Sequence, residues 1–312
     1  MAKRPPKGSA LKVLLIRFSA IGDCVIAGHA VNDLRHTYPD AELSWAVEDR
    51  CAGVISTSLV RKLVLPRRRW RAKGDLKTLF EQYRWLTSFR KFGFDYGFDL
   101  QGHSKTAWCL RLSGAKKRLS VHGTDVVANR LNPVLVDPLL EEVHAVESSR
   151  RLVNALIPIE HVRSDFLPGS PQVRNPRLVT LCIGAGHPLK VIPPETLVAV
   201  GRTLASEGFE VVYLGGPEDQ LDAPAGTTNL AGKTTLEESI NWVRKSAVHI
   251  AGDTGTGHIA AAVGTPLVSI WGHMPLDRYY PYGEEVTVLN ANGIPADVTV
   301  AEIVHAAKRW LP

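Results

Sequence analysis

The sequence predicts an α/β protein made of two halves, each a parallel sheet covered on both faces by helices. Three observations carry this. Short all-apolar runs alternate with helical patterns along the whole chain, glycine-rich polar turns follow the apolar runs, and a proline-bearing stretch near the middle interrupts the alternation. The chain's 312 residues are enough for two cores.

Val13-Leu14-Leu15-Ile16 reads as a buried strand. A polar loop, 17–23, follows, then a helix over 23–36 that Pro39 ends, and a second strand at 43–47. Residues 63–65 give a third strand, leading into the basic run Arg67-Arg68-Arg69-Trp70-Arg71. A long helix is predicted over 75–92, with Leu76, Leu79, Phe80, Tyr83, Leu86 and Phe89 along one face, read as a core-facing stripe. Strands follow at 96–100 and 116–121 around a helix reaching Leu112, and helical character returns over 141–157. Prolines 158, 168, 171 and 176 mark a linker, placed at 165–176 between a first half, 1–164, and a second, 177–295. The alternation then restarts with strands at 178–183 and 210–214, a helix entered at Pro193-Pro194-Glu195, and a helix over 235–246. A terminal piece, 296–312, carries Val300, Ile303, Val304, Ala307, Trp310 and Leu311 at helical spacing.

The most informative stretch runs from Val248 to Pro266. It reads as strand, polar turn Asp253-Thr254-Gly255-Thr256-Gly257-His258, and a short alanine-rich helix that Gly264 caps. A glycine-rich turn at a helix N-terminus offers backbone N–H groups to a phosphate, and it reads equally as a capped loop. Asp253 is out of place beside an anion unless it orders the turn or meets a ribose hydroxyl. Lys190 and Glu218 follow the ends of two neighbouring predicted strands, so the three loops share one sheet edge: Lys190 neutralises a diphosphate and Glu218 stands where an acidic residue meets ribose. In the first half, Asp23 sits where a helix begins, as an N-cap or as a general base on an acceptor hydroxyl, and the two roles are compatible. His103 and His144 are weaker alternatives.

A formal charge of +6 favours anionic partners. Gly184-Ala185-Gly186 lacks the third glycine of a dinucleotide site, and no Walker lysine motif or Asp-x-Asp pair occurs, so charge neutralisation falls on Lys190 and a helix N-terminus, with no metal and no cofactor. The basic run has too few aromatics for nucleic acid. Cysteines 24, 51, 109 and 182 are too widely spaced for a zinc knuckle or disulfide framework and are expected as free thiols. The basic N-terminus, 1–8, lacks the apolar core of a signal peptide, so the chain is expected in the cytoplasm, with any membrane association peripheral.

Arg17-Phe18-Ser19-Ala20-Ile21-Gly22-Asp23, Arg68-Arg69-Trp70-Arg71, Asp99-Leu100-Gln101-Gly102, His144-Ala145-Val146-Glu147 and Gly252-Asp253-Thr254-Gly255 with His258 occur in that order. With these pieces the chain resembles the bacterial heptosyltransferases, glycosyltransferase family 9. The resemblance implies a GT-B fold, two Rossmann-like domains facing a central cleft, with the acceptor on the first and the nucleotide sugar on the second. It implies inverting, metal-independent transfer of heptose from ADP-heptose to Kdo on lipid A. Asp23 matches the catalytic base and Lys190 the phosphate-binding lysine. Glu218, Asp253, Thr254, Gly255, Thr256, Gly257 and His258 match the donor site, and Ser19, Arg68, Arg69, Arg71, Gln101 and His144 the acceptor site. The terminal helix is expected to cross back and brace the first domain. The chain is expected to act as a monomer at the inner face of the cytoplasmic membrane, on an anionic glycolipid. It departs from the family pattern at Val191-Ile192-Pro193, Thr256-Gly257 and Gly272-His273-Met274-Pro275, and Ser148 stands where heptosyltransferase I members tend to carry arginine. A transferase of the same fold with another nucleotide sugar or acceptor, and a non-catalytic nucleotide or anionic-lipid binding protein, are the alternatives.

Overall fold

The computed structural model describes residues 10–72, 75–123, 125–219 and 221–312, so the basic N-terminus lies outside the described residues. The chain divides into two compact units, 1–166 and 167–312.

The first unit contains β1 (Lys12–Ile16), α1 (Ile21–Thr37), β2 (Glu42–Glu48), β3 (Arg61–Leu65), α2 (Arg67–Arg71), α3 (Leu76–Thr87), β4 (Tyr96–Asp99), α4 (Ser104–Leu112), β5 (Lys117–Ser120), α5 (Val126–Leu131) and α6 (Ala145–Asn154). Its sheet is wholly parallel in the order β3-β2-β1-β4-β5. Val13, Leu14, Leu15 and Ile16 have no exposure, which is why this strand shows no polar alternation. A buried ion pair fastens α6 to α1: Arg150 Nε lies 2.7 Å from Asp33 Oδ2, and a second guanidinium nitrogen lies 2.7 Å from Glu147. Phe166, at the end of the unit, packs edge-on to His29, 4.9 Å between ring centres.

The second unit contains β6 (Asn175–Cys182), α7 (Pro194–Ser206), β7 (Glu210–Leu214), β8 (Thr228–Asn229), α8 (Leu236–Lys245), β9 (Ser246–Gly252), α9 (Gly255–Ala262), β10 (Leu267–Ile270), α10 (Leu276–Tyr279), β11 (Val286–Leu289) and α11 (Val300–Lys308). Its sheet is parallel in the order β11-β10-β9-β6-β7-β8. The capping box Thr235–Glu238 opens α8, and Gly264 follows α9 at a φ of 71°, a left-handed value that favours glycine. The core includes His249, fully buried on β9 with Nδ1 2.9 Å from the Thr180 hydroxyl. Burial pushes this imidazole down to about 3, so it is neutral in the fold.

One expectation is corrected in part. Of the stripe over 75–92, Leu86 and Phe89 meet the core as expected, but Leu76, Leu79, Phe80 and Tyr83 are exposed, and the helix rests on Thr78, Trp85 and Leu86. The terminal helix, α11, buries its stripe inside the second unit. Ile303, Val304 and Ala307 join the core that contains Leu197, Val200 and Leu204 of α7, because α7, β10 and β11 offer the apolar surface this stripe needs. Among the described residues no helix is long and apolar enough to cross a membrane.

Candidate functional site

In open parallel sheets ligands bind at the carboxyl ends of strands, at the crevice where the strand order reverses. In the first unit that point lies between β1 and β4. The loops leaving these strands are 17–20 and 100–103, and two side chains tie them together. Arg17 donates from Nη1 to the Leu100 carbonyl at 2.7 Å and reaches Asp23 Oδ2 with Nη2 at 2.8 Å. Gln101 Oε1 accepts from the Phe18 N–H at 2.8 Å. Asp23 also accepts the Ala20 N–H at 3.0 Å, so it caps α1 while keeping 36% of its side chain exposed. The N-cap position itself is Ala20, and Asp23 acts on it from the third helical residue. Burial works to lower the Arg17 pKa, but Asp23, Cys24 and Asp99 together outweigh it and hold the guanidinium above its usual value. Asp99, missed as a site-shaping residue, accepts the Gln101 and Gly102 N–H groups at 2.9 and 3.0 Å, and burial raises its pKa.

The basic run forms α2. Its first residue, Arg67, pairs with the fully buried Glu48, which also holds Arg50 at 3.0 Å, and the Arg68 N–H donates to Asp49 at 3.2 Å. Trp70 is buried and donates to Glu81, which also pairs with Arg69. Arg68 and Arg71 are exposed. Beneath them lies a cavity of about 510 Å³, walled by Phe18, Leu65, Trp70, Leu86 and Trp108, with Arg67, Arg71 and Lys105 among its lining. Ser19 is half-buried in the 17–20 loop. His144 has another job: it is buried, and its Nδ1 accepts the Val146 N–H at 3.1 Å to cap α6. Ser148 is likewise structural, donating to the Leu140 carbonyl at 2.7 Å.

In the second unit the order reverses between β6 and β9. The loops after these strands bring Lys190 Nζ to 2.6 Å from Asp253 Oδ2, with the two side chains 21% and 6% exposed. This answers the awkward aspartate, whose charge is matched by the lysine that the sequence assigns to phosphate. The 188–190 turn crosses the end of β9 so closely that a Cβ at Gly252 would lie 3.0 Å from the Lys190 carbonyl. Thr254 stands at the N-cap position of α9 with its Oγ1 3.1 Å from Thr256 Oγ1, so its hydroxyl leaves the first-turn N–H groups of the helix, which point out of it, uncapped. Cys182, at the end of β6, lies beneath these hydroxyls, its thiol pKa raised by burial. His258 is buried one turn into α9.

Glu218 is exposed at the end of β7, while the next residue, Asp219, folds inward. Its carboxylate accepts the Gly216 N–H at 2.6 Å and occupies the space where a Cβ on Gly184 or Gly215 would sit. Sequence reasoning missed Asp219. The signal was there, in glycines at two adjacent strand ends that leave room for an inward-turning side chain.

The matches to known proteins follow the same geometry. The family model for glycosyltransferase family 9 (heptosyltransferase) matches residues 83–302. Lipopolysaccharide heptosyltransferase 1 of Pseudomonas aeruginosa is 26% identical over 285 residues, 84% of this chain and 79% of the relative. The structure of E. coli heptosyltransferase WaaC with ADP superposes with a TM-score of 0.80 at 19% identity, covering 96% of this chain and 99% of that one. E. coli ADP-heptose lipopolysaccharide heptosyltransferase II gives 0.78 at 21% identity, covering 96% and 98%. Two Rossmann-like units with crevice loops of this kind define a GT-B glycosyltransferase. Within that class the chain belongs to glycosyltransferase family 9, the heptosyltransferases.

Proposed function

We propose that the chain moves heptose from ADP-heptose to an inner-core lipopolysaccharide acceptor, Kdo on lipid A, by a single displacement that inverts the anomeric centre and uses no metal. The observation that carries this reading is the Lys190–Asp253 pair at the crevice of the second sheet, beside the N-terminus of α9. A lysine held there by a carboxylate is positioned to meet a diphosphate, and the first-turn amides of α9 supply hydrogen bonds to its oxygens. Charge is then met where it develops on the departing ADP. Asp219, with Glu218 beside it, is placed for the ribose hydroxyls. Thr254, Gly255, Thr256 and Gly257 form the phosphate cradle, with His258 behind them.

Asp23 takes the proton from the attacking acceptor hydroxyl, and the Arg17 bridge fixes its orientation. Arg68, Arg69 and Arg71 meet acceptor phosphates, with Ser19 and Gln101 beside the reacting hydroxyl. His144, consumed as a cap, supports this unit from a distance. In this reading the enzyme is a monomer, peripheral to the inner face of the cytoplasmic membrane, and takes no nucleic acid. That E. coli WaaC has been solved with ADP and with ADP-2-deoxy-2-fluoro heptose supports the choice of donor.

Thermal unfolding with ADP-, UDP- and GDP-linked sugars tests the donor. A ligand at a hundred times its Kd stabilises by about 2.7 kcal/mol, and each kcal/mol moves the Tm of a domain this size by about 2–4 °C. ADP-heptose is expected to raise Tm by several degrees, and a larger rise with a UDP- or GDP-sugar would sink the assignment. Product NMR reads the anomeric configuration, and undiminished turnover in EDTA is expected.

A further inference from the structure

Over its first two turns α3 turns its apolar stripe away from the core. Leu76, Leu79, Phe80 and Tyr83 follow i, i+3, i+4 and i+7 and are 85%, 59%, 60% and 53% exposed, while the polar Thr78 is buried. Single exposed apolar residues are ordinary, but four large ones in register on one helix face form a patch that marks an interaction surface. The surroundings are cationic. Residues 67–91 hold nine Lys and Arg against two Asp and Glu, more positive than the +6 of the whole chain. Lys77 and Arg84 lie along one flank of the stripe, with the Arg84 guanidinium 5.8 Å from the centre of the Phe80 ring. One of the two acids, Glu81, is already paired with Arg69.

We propose that α3 docks the first unit on an anionic lipid bilayer: its apolar stripe enters the boundary between headgroups and acyl chains, and Arg68, Arg71, Lys77 and Arg84 meet lipid phosphates. A helix with an apolar face and a cationic flank lies in the plane of such an interface, where burial of the stripe and attraction to anionic headgroups act together. A second copy of the chain fits the stripe poorly, because it would bring an equally cationic surface against this one. The cavity beneath α2 shares Trp70, Arg71 and Leu86 with this region, so docking sets that opening beside the membrane. The inference rests on the reading of the acceptor as a membrane glycolipid and names the surface that brings the chain to it.

The test is flotation with vesicles of phosphatidylethanolamine and phosphatidylglycerol, against vesicles of phosphatidylcholine, without donor or acceptor. The wild-type chain is expected to float with the anionic vesicles only. Leu79→Ser/Phe80→Ser is expected to partition about tenfold more weakly or worse, with an unchanged Tm because both side chains are already exposed. Insertion is read separately with an environment-sensitive dye on Phe80→Cys, since the four native cysteines are buried and escape labelling. Its emission shifts to the blue on anionic vesicles if the stripe enters the bilayer. The proposal is overturned if the wild type fails to float, if the double variant floats as well as the wild type, or if the dye does not shift. It is equally overturned if the double variant merely converts a dimer to a monomer in solution. The donor-dependent Tm shift is independent of all these outcomes, so failure here leaves the transferase reading standing, and failure there leaves docking standing.

Discussion

Replacing Lys190 by alanine leaves Asp253, 6% exposed, without the ammonium that now lies 2.6 Å away. Breaking a fully buried pair costs about 3–5 kcal/mol, and because the lysine is 21% exposed the loss to the unliganded fold is discounted to roughly 2 kcal/mol. ADP suffers twice. It loses a charged hydrogen bond of about 1.5–3 kcal/mol. It also meets an uncompensated carboxylate, which at roughly 6 Å and an effective dielectric of about 20 repels a phosphate charge by about 3 kcal/mol. These terms overlap, so a rise in the ADP Kd of roughly a thousandfold is expected. If the argument is right, adding Asp253→Asn removes the repulsion and recovers about tenfold or more in affinity and part of the lost Tm. Calorimetric titration of ADP into the single and double variants, with unfolding scans without ligand, measures both. A double variant that binds ADP no better than Lys190→Ala would refute the reasoning, because the carboxylate would then not be felt at the phosphate site.

Three further outcomes follow from the same structure. Gly184→Ala displaces the Asp219 carboxylate, so ADP affinity is expected to fall about tenfold while pyrophosphate affinity holds, and Asp219→Ala should mimic it where Glu218→Ala does not; equal loss for pyrophosphate would place Asp219 away from the ribose. Arg150→Met strands the fully buried Asp33, and denaturant titration should show a loss of about 3–5 kcal/mol, largely relieved by adding Asp33→Leu. His249 is held neutral down to about 3, against an ordinary value of 6.5. Its pKa is depressed in the fold, so its contribution is complete above pH 6.5 and is lost as pH falls toward 3. Between pH 6.5 and 4.5 the wild type is expected to lose about 2–3 kcal/mol more than His249→Leu, and parallel pH profiles would contradict this.

The sheets were legible because a strand buried on both faces leaves an unbroken apolar run, as at Val13 to Ile16, and because glycine turns mark the strand ends. The loops carrying Asp23, Lys190 and Asp253 were legible for the same reason, since strand order alone assigns them to a crevice edge. The direction in which an amphipathic helix faces was not. Periodicity shows that Leu76, Leu79, Phe80 and Tyr83 share a side of α3, but only tertiary packing decides whether that side meets protein or solvent. The motif that assigns His144 to the acceptor does not reveal that its Nδ1 also caps α6, since a cap and a binding residue ask for the same polar side chain. Asp219 was overshadowed by its neighbour Glu218, because which of two adjacent acids turns inward depends on the room left by Gly184 and Gly215.

The central claim is that two chemically distinct sites cooperate, with Asp23 deprotonating the acceptor and the Lys190 loop receiving ADP. The direct measurement is steady-state turnover of ADP-heptose with Kdo-lipid A by Asp23→Asn, read as ADP release, alongside its ADP Kd. Positioned general bases contribute about 10²–10⁴-fold. The account predicts a fall in kcat within that range at unchanged ADP affinity, with Tm lowered only slightly because the cap and the Arg17 contact are weakened. A variant that turns over at close to the wild-type rate would contradict it.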